Sequence, residues 1–176
     1  MTLLKDISNE IKHIIQDSGI FLTMEEFERL EITDFGLDDF RENGLVIHTY
    51  INTDRCCAKE LIMLPHQTCP EHLHPTIGDK AGKEETFRCR HGRVSVFIDG
   101  IKTDNPTVSL PKDVNNYTVF KEVVLEKGDQ LSLSPDSKHW FKAHEQGAVV
   151  SEFSTTSNDD TDIFTNPKIC RASRLV

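Results

Sequence analysis

The segment Pro70–Gly92, PEHLHPTIGDKAGKEETFRCRHG, decides how this chain is read. It sets His72 and His74 two residues apart, and a Lys83-Glu84-Glu85 triplet follows before Arg88 and Gly92. On a strand, residues i and i+2 project from one face, so the two imidazoles can meet at one point. The same alternation puts Lys83 on the face of Glu85 and Glu84 on the other, and gives Arg88 the wrong parity for that face unless a bulge intervenes. Much later, in KGDQLSLSPDSKHWFKAHE, His139 stands eleven residues after Gly128. Imidazoles and a carboxylate together suit zinc, manganese or iron. Three His and one Glu leave coordination positions open for water or substrate, which a catalytic centre needs and a structural one lacks.

The bulk numbers fit such a site. A chain of 176 residues suits one domain with a real core. With 37% apolar and 28% charged residues it is expected to be globular, neither disordered nor membrane-bound. A net charge of -9 argues against nucleic acid and is compatible with a small polar ligand. The opening MTLLKDISNEIKHIIQDSG interrupts its apolar residues Leu4, Ile7, Ile11, Ile14 and Ile15 with charges at helical spacing, unlike a signal peptide. Five cysteines, an odd number with no paired CxxC, read as reduced thiols, so a cytoplasmic protein is expected.

That opening predicts an amphipathic helix over residues 3–18 stopped by Gly19. Thr23 and Glu26 form a capping box for a second, short helix. After about residue 44 the texture changes to short β-like runs: GLVIHTYIN, AKELIML, ETFRCRHG, RVSVFIDG, YTVFKEVVL, DQLSLSP, HWFKAHE and AVVSEFSTT. Such spacing predicts a β-sandwich or barrel, with Asp99-Gly100 as a hairpin turn. The expected organisation is one domain over 1–176, with residues 1–43 a helical cover packed outside a β-barrel of residues 44–176.

These residues resemble the cupins, whose motifs are G-x5-HxH-x(3,4)-E-x6-G and G-x5-P-x-G-x2-H-x3-N. Here HxH is His72-Leu73-His74, E-x6-G runs from Glu85 to Gly92, and Gly128 and His139 keep the spacing of the second motif. His66 replaces the first Gly, ten residues separate His74 from Glu85, Pro135 is one place late, Ser137 stands near the second Gly, and Ala143 replaces the Asn. The long gap would be a loop over the barrel mouth. With that loop, Pro70–Gly92 is similar to the signature segment of the D-lyxose isomerases within the cupins, and the likeness runs from about Cys69 through EFSTTSNDDTDIFTNP.

The resemblance implies a mainly β cupin barrel (a double-stranded β-helix, or jelly roll) and a divalent cofactor, manganese first, with zinc, cobalt or iron also compatible. It implies metal ligands His72, His74, Glu85 and His139, and interconversion of D-lyxose with D-xylulose, and of D-mannose with D-fructose, through a metal-stabilised cis-enediolate. Such chemistry needs a second carboxylate to carry the proton between C1 and C2. In AVVSEFSTT, Glu152 sits in an apolar strand, which is costly unless it faces a polar cavity; the resemblance also implies a catalytic Glu there. Lys83 is assigned to the sugar oxygens, with burial near a metal expected to depress its pKa. Asp160, Asp162 and Phe164 are candidates to line the sugar pocket, Trp140 to stack on the sugar, and His66 and His144 to support the ligands. A homodimer is expected. A hydride shift is the alternative route. A non-haem iron dioxygenase and a non-catalytic sugar-binding cupin are the alternative functions; a phosphosugar isomerase would need an Arg or Lys cluster that is not evident.

Overall fold

The computed structural model describes residues 2–170. Helix α1 (Thr2–Ser18) buries Ile7, Ile11, Ile14 and Ile15 as one stripe; the side chain of Leu4 lies outside those described. Gly19 ends it at φ +75, the left-handed conformation of a helix stop. Helix α2 (Met24–Glu28) starts at the expected capping box. Thr23 Oγ1 accepts from Glu26 N at 3.2 Å, and Glu26 Oε2 accepts from Thr23 N at 2.7 Å.

Among the described residues, nine strands make one curled sheet: β1 (Glu31–Thr33), β2 (Leu45–Asn52), β3 (Cys57–Met63), β4 (Thr68–Leu73), β5 (Glu85–Ile98), β6 (Lys121–Leu125), β7 (Gln130–Leu133), β8 (His139–Ser154) and β9 (Ile163–Phe164). The order is β1-β2-β3-β8-β4-β9, and β5 pairs with β6, β7 and β8. Strand alternation sorts the side chains into two faces. Leu45, Ile47, Leu61, Met63, Phe87, Cys89, Val94, Val96, Phe141, Ala143, Ala148 and Val150 fill the inside of the curl. On the outside, Val46, Ile62 and Val149 pack under the isoleucines of α1, as a cover requires. Each such buried aliphatic side chain contributes about 1.5–3 kcal/mol.

Three expectations change here. The runs ETFRCRHG and RVSVFIDG are one strand, β5, and HWFKAHE and AVVSEFSTT are one strand, β8. The turn-like glycines between them serve as bends: the β5–β8 register shifts between Cys89 and His91 and again between Gly92 and Val94. Gly92, at φ +66, lies against the Gly147 carbonyl, which a Cβ would strike, so the last Gly of the first motif marks where two strands fold over each other. Asp99-Gly100 is not a tight hairpin. Ile98 and Lys121 pair across a long connection, whose Val108, Tyr117 and Val119 cover Phe97 and Trp140. The cover is also not wholly helical, since β1 pairs with β2.

Both missing motif glycines have a conformational counterpart. His66 and Asp136, which stand where the cupin pattern has Gly, each adopt φ 62. The turn is kept without the residue that most easily makes it.

Candidate active site

At one end of the barrel the inner face turns from apolar to charged. His72 and His74 leave β4, His139 opens β8 opposite His72, Glu85 opens β5, and Glu152 lies near the end of β8. All are buried, Glu85 to 2% exposure and His139 to 0%. The strand parity expected from HxH is what joins the two imidazoles, while the β4–β8 pairing adds the third.

Each imidazole is held through Nδ1. His72 Nδ1 is 2.8 Å from the Pro70 carbonyl, His139 Nδ1 is 3.0 Å from the Ser137 carbonyl, and His74 Nδ1 is 2.5 Å from Asp162 Oδ1. A carbonyl can only accept, so His72 and His139 carry their proton on Nδ1 and turn the Nε2 lone pair inward. The three histidines form a group whose ligand atoms lie within 4.8 Å of one another. Glu85 Oε1 lies 3.0 Å from His139 Nε2 and 3.4 Å from His74 Nε2. Yet His74 Nε2, His139 Nε2 and both Glu85 oxygens have no hydrogen-bond partner of good geometry. Buried polar atoms that converge and remain unsatisfied are what a cation site looks like from its ligands. The donor set fits a divalent ion.

Burial, with the neighbouring His139 and His74, pushes His72 well below its ordinary pKa, so it stays neutral and able to ligate. Burial pulls His74 down, but the carboxylates of Asp162 and Glu85 beside it outweigh this and hold it up at about 9. Lys83 contradicts the expectation of a depressed pKa. Burial lowers it, but Glu152 and Glu85 together raise it above its ordinary value. Its Nζ is 2.8 Å from Glu85 Oε2 and 3.0 Å from Glu152 Oε1. Lys83 is thus held as an ammonium between two carboxylates. Glu85 in turn is held well below the usual carboxylate range: burial raises it, and Lys83 and His139 overcome that. Ser154 Oγ donates to the same Glu152 oxygen at 3.2 Å, so both bonds fall on Oε1.

The loop between His74 and Glu85 is pinned beside the site. Thr76 donates to Asp136 through N and Oγ1, both at 2.6 Å, and Glu84 and Thr155 pair through their backbones. With the segment after β8, it lines a mouth of about 610 Å³ that includes His74, Lys83, Thr155, Asn158 and Asp162, a size that suits a small ligand. A larger cleft of about 800 Å³ between α2 and β2 lies away from the three histidines. Gly82 lies so close to the His74 carbonyl that a Cβ would overlap it. Gly82→Ala should displace Lys83 and lower kcat/KM by about tenfold or more, measured by steady-state kinetics with far-UV circular dichroism as the fold control.

Other expected residues fall as follows. Arg88 hydrogen-bonds Gln130, away from the cavity, and Glu84 is exposed, as alternation required. Trp140 does not face the site: it stacks on Phe97 at 3.8 Å on the outer side and donates Nε1–H to the Val119 carbonyl. His144 contacts Arg93 and Ser95, also outside. Phe164 lies 5.4 Å from the His72 ring, and Asp160 is exposed. Asp162 holds an imidazole instead of simply lining a pocket. A carboxylate behind a ligating His fixes its tautomer and raises its basicity. Asp162→Ala should weaken divalent-metal affinity by about 10–100-fold, measured by calorimetric titration of Mn2+ into stripped protein.

Among the buried charges that the sequence reading did not single out are Glu71 and Lys59. Glu71, within the HxH segment, accepts from Thr118 N, Thr118 Oγ1, Val119 N and Thr165 Oγ1 at 2.6–2.9 Å, and so ties β4 to two distant segments. Lys59, in AKELIML, shares the inner face with Leu61 and Met63 and pairs in register with Glu152. A lone Lys at alternate spacing in an apolar run was the available signal.

The fold is shared with solved L-ribose isomerases. That of Cellulomonas parahominis superposes with a TM-score of 0.75 at 19% identity, covering 97% of this chain and 94% of that one. That of Acinetobacter sp. DL28, solved with L-ribose, gives 0.72 at 18% identity, covering 93% and 91%. Fold and site together define a cupin-like barrel with a centre able to hold a metal. The family model described as D-lyxose isomerase matches residues 27–176. A D-lyxose/D-mannose isomerase of Thermosediminibacter oceani is 48% identical over 173 residues, covering 98% of this chain and 96% of the relative. A D-lyxose ketol-isomerase of Cohnella laeviribosi is 48% identical over 168 residues, covering 95% and 92%. The chain belongs to the D-lyxose isomerase family and is an aldose–ketose isomerase.

Proposed function

We propose that the protein interconverts D-lyxose and D-xylulose, and D-mannose and D-fructose more weakly or comparably, using a divalent ion, manganese first. The observation that carries this is the meeting of three inward imidazoles and Glu85 with a second buried carboxylate, Glu152, joined through one ammonium. His72, His74, Glu85 and His139 would hold the ion. When bound, it supplies Lewis acidity to adjacent sugar oxygens.

The residues around it do the rest. Glu152 takes the proton from C2, the C–H pair forms the C1–C2 double bond of an enediolate and the C1 carbonyl pair moves to O1. The hydroxyl proton passes from O2 to O1, and as the O2 pair forms the new carbonyl the same carboxylate returns the carbon proton to C1 to give the ketose. Ser154 and Lys83 hold Glu152 in place through Oε1. Lys83 also donates toward the oxygens on which negative charge develops. The flanking loops keep bulk water from the reacting carbons. A hydride shift in place of proton transfer would leave Glu152 with no carbon-bound proton to carry.

Family membership displaces the dioxygenase and the non-catalytic readings. The wider proposal treats residues 1–176 as one cupin unit, with 1–43 the cover and 44–176 the barrel, acting as a cytoplasmic homodimer on a pentose or hexose. Five free cysteines support a reducing compartment, and dimers are the commonest closed assembly. The test is to strip the protein with chelator and assay D-lyxose conversion to D-xylulose with and without Mn2+. Turnover that appears only with the metal is expected. Absence of turnover with Mn2+, Co2+, Zn2+ or Fe2+ on D-lyxose and on D-mannose overturns the proposal.

A further inference from the structure

The segment after β8 crosses the mouth of the barrel. It leaves β8 at Ser154 and returns through β9, where Phe164 pairs with His72 and Ile163 with Leu73. Midway it is tied back to β3, the neighbour of the strand it leaves. Lys59 Nζ donates to Ser157 Oγ at 3.0 Å and to both Asp159 oxygens at 3.1 Å. Ser157 is further clamped by Asn52, which donates to its carbonyl at 2.9 Å and accepts from its N–H at 3.1 Å. Ser157 Oγ also reaches Asp159 Oδ1 at 2.6 Å.

Lys59 is only 6% exposed, on an inner face where an apolar side chain would pack without a desolvation cost. Among the described residues the hydrogen bonds of its Nζ all go to the crossing segment, so its charge serves that segment. From Asp159 to Asp162 the chain makes a single 3-10 turn, closed by Thr161 N–H on the Asn158 carbonyl at 3.0 Å. Asp162 then grips His74 Nδ1. A shift of Asp159 has almost no slack to be absorbed before it reaches that grip.

We propose that Lys59 is a positioning residue for the metal centre: through Asp159 and Ser157 it fixes the segment that presents Asp162 to His74. This rests on the reading of His74 as a metal ligand. Lys59 touches neither the ion nor the reacting carbons; it acts by setting the orientation and basicity of one imidazole.

The experiment is calorimetric titration of Mn2+ into chelator-stripped wild type, Lys59→Met, Asp159→Asn, Asp162→Ala and the Lys59→Met/Asp162→Ala double variant. Wild type should bind one Mn2+. Lys59→Met should bind about tenfold more weakly, and Asp159→Asn should move the same way. The double variant should bind no more weakly than Asp162→Ala alone, because both changes act through one contact. A general loss of packing would lower thermal stability without this non-additivity. Lys59→Met affinity within about twofold of wild type overturns the proposal, as do fully additive losses. That holds even if KM for the sugar rises, which would make Lys59 a sugar contact instead. If Lys59→Met does not fold, Asp159→Asn, whose side chain is partly exposed, decides by the same affinity threshold. Wild type that binds no Mn2+, Co2+ or Zn2+ sinks the reading of the site itself and this proposal with it, and is seen before any variant is compared.

Discussion

Glu152→Gln should lower kcat for D-lyxose isomerisation by about 10²–10⁴-fold while leaving Mn2+ affinity close to that of wild type. The amide keeps the shape and an oxygen for Lys83 and Ser154, whose bonds both fall on one atom of the native carboxylate. What it removes is the ability to accept a proton. Four other side chains meet at the candidate ion site, so the affinity has no reason to change. The discriminating measurement is exchange of the C2 hydrogen with deuterated solvent at full metal occupancy. Loss of exchange together with turnover supports Glu152 as the proton carrier. Turnover within tenfold of wild type would remove Glu152 from the carbon proton transfer and favour a hydride shift, which needs no base at C2.

Lys83→Met should be the more damaging change, because it acts on stability and catalysis together. The ammonium is buried with Glu85 on one side and Glu152 on the other, at 2.8 and 3.0 Å. Removing it leaves two buried carboxylates facing each other without a counter-charge, a loss of about 3–5 kcal/mol for breaking a buried pair. Urea denaturation of the stripped protein measures this. Bound metal, by neutralising Glu85, should recover part of the loss, so the gap between variant and wild type should narrow when Mn2+ is added. Turnover should fall by about 10²-fold or more even with metal saturating, since the donor toward the developing negative charge is gone. An unfolding free energy unchanged from wild type would mean that the two carboxylates do not depend on Lys83.

Much of this site was legible because its first half obeys a local rule. The spacing of His72 and His74, and of Lys83 and Glu85, needs only the two-residue period of a strand to say which side chains share a face. Glu152 was legible for a related reason: a carboxylate in an otherwise apolar strand is too costly to leave unexplained. Trp140 was misread because adjacency to His139 was taken as proximity to the sugar, whereas neighbouring residues on a strand face opposite ways, and Trp140 belongs to the outer layer with Phe97 and Val119. The state of Lys83 was misread because burial was weighed alone: alternation already put Glu85 on its face, but no local spacing joined it to Glu152.

The chain by itself thus determined the helices with their caps, the runs from which the longer strands are built, the face on which each ligand candidate would lie, and the family to which the pattern belongs. Tertiary structure alone decided which faces meet. Glu85 and His139 begin the two strands of one ribbon and pair with its opposite ends, Glu85 with Ser154 and Ile98 with His139. Drawn straight, a ribbon of that length would hold those ends about 40 Å apart. The bulges around Gly92 and the close passage of Gly147 let it curl until Glu85 Oε1 lies 3.0 Å from His139 Nε2. The grip of Asp162 on His74 and the tie from Lys59 to Asp159 depend in the same way on where a strand returns after crossing the barrel. Periodicity assigns a side chain to a face at no cost in chain entropy, but joining two distant faces requires the packing of the whole sheet, and no local spacing encodes that.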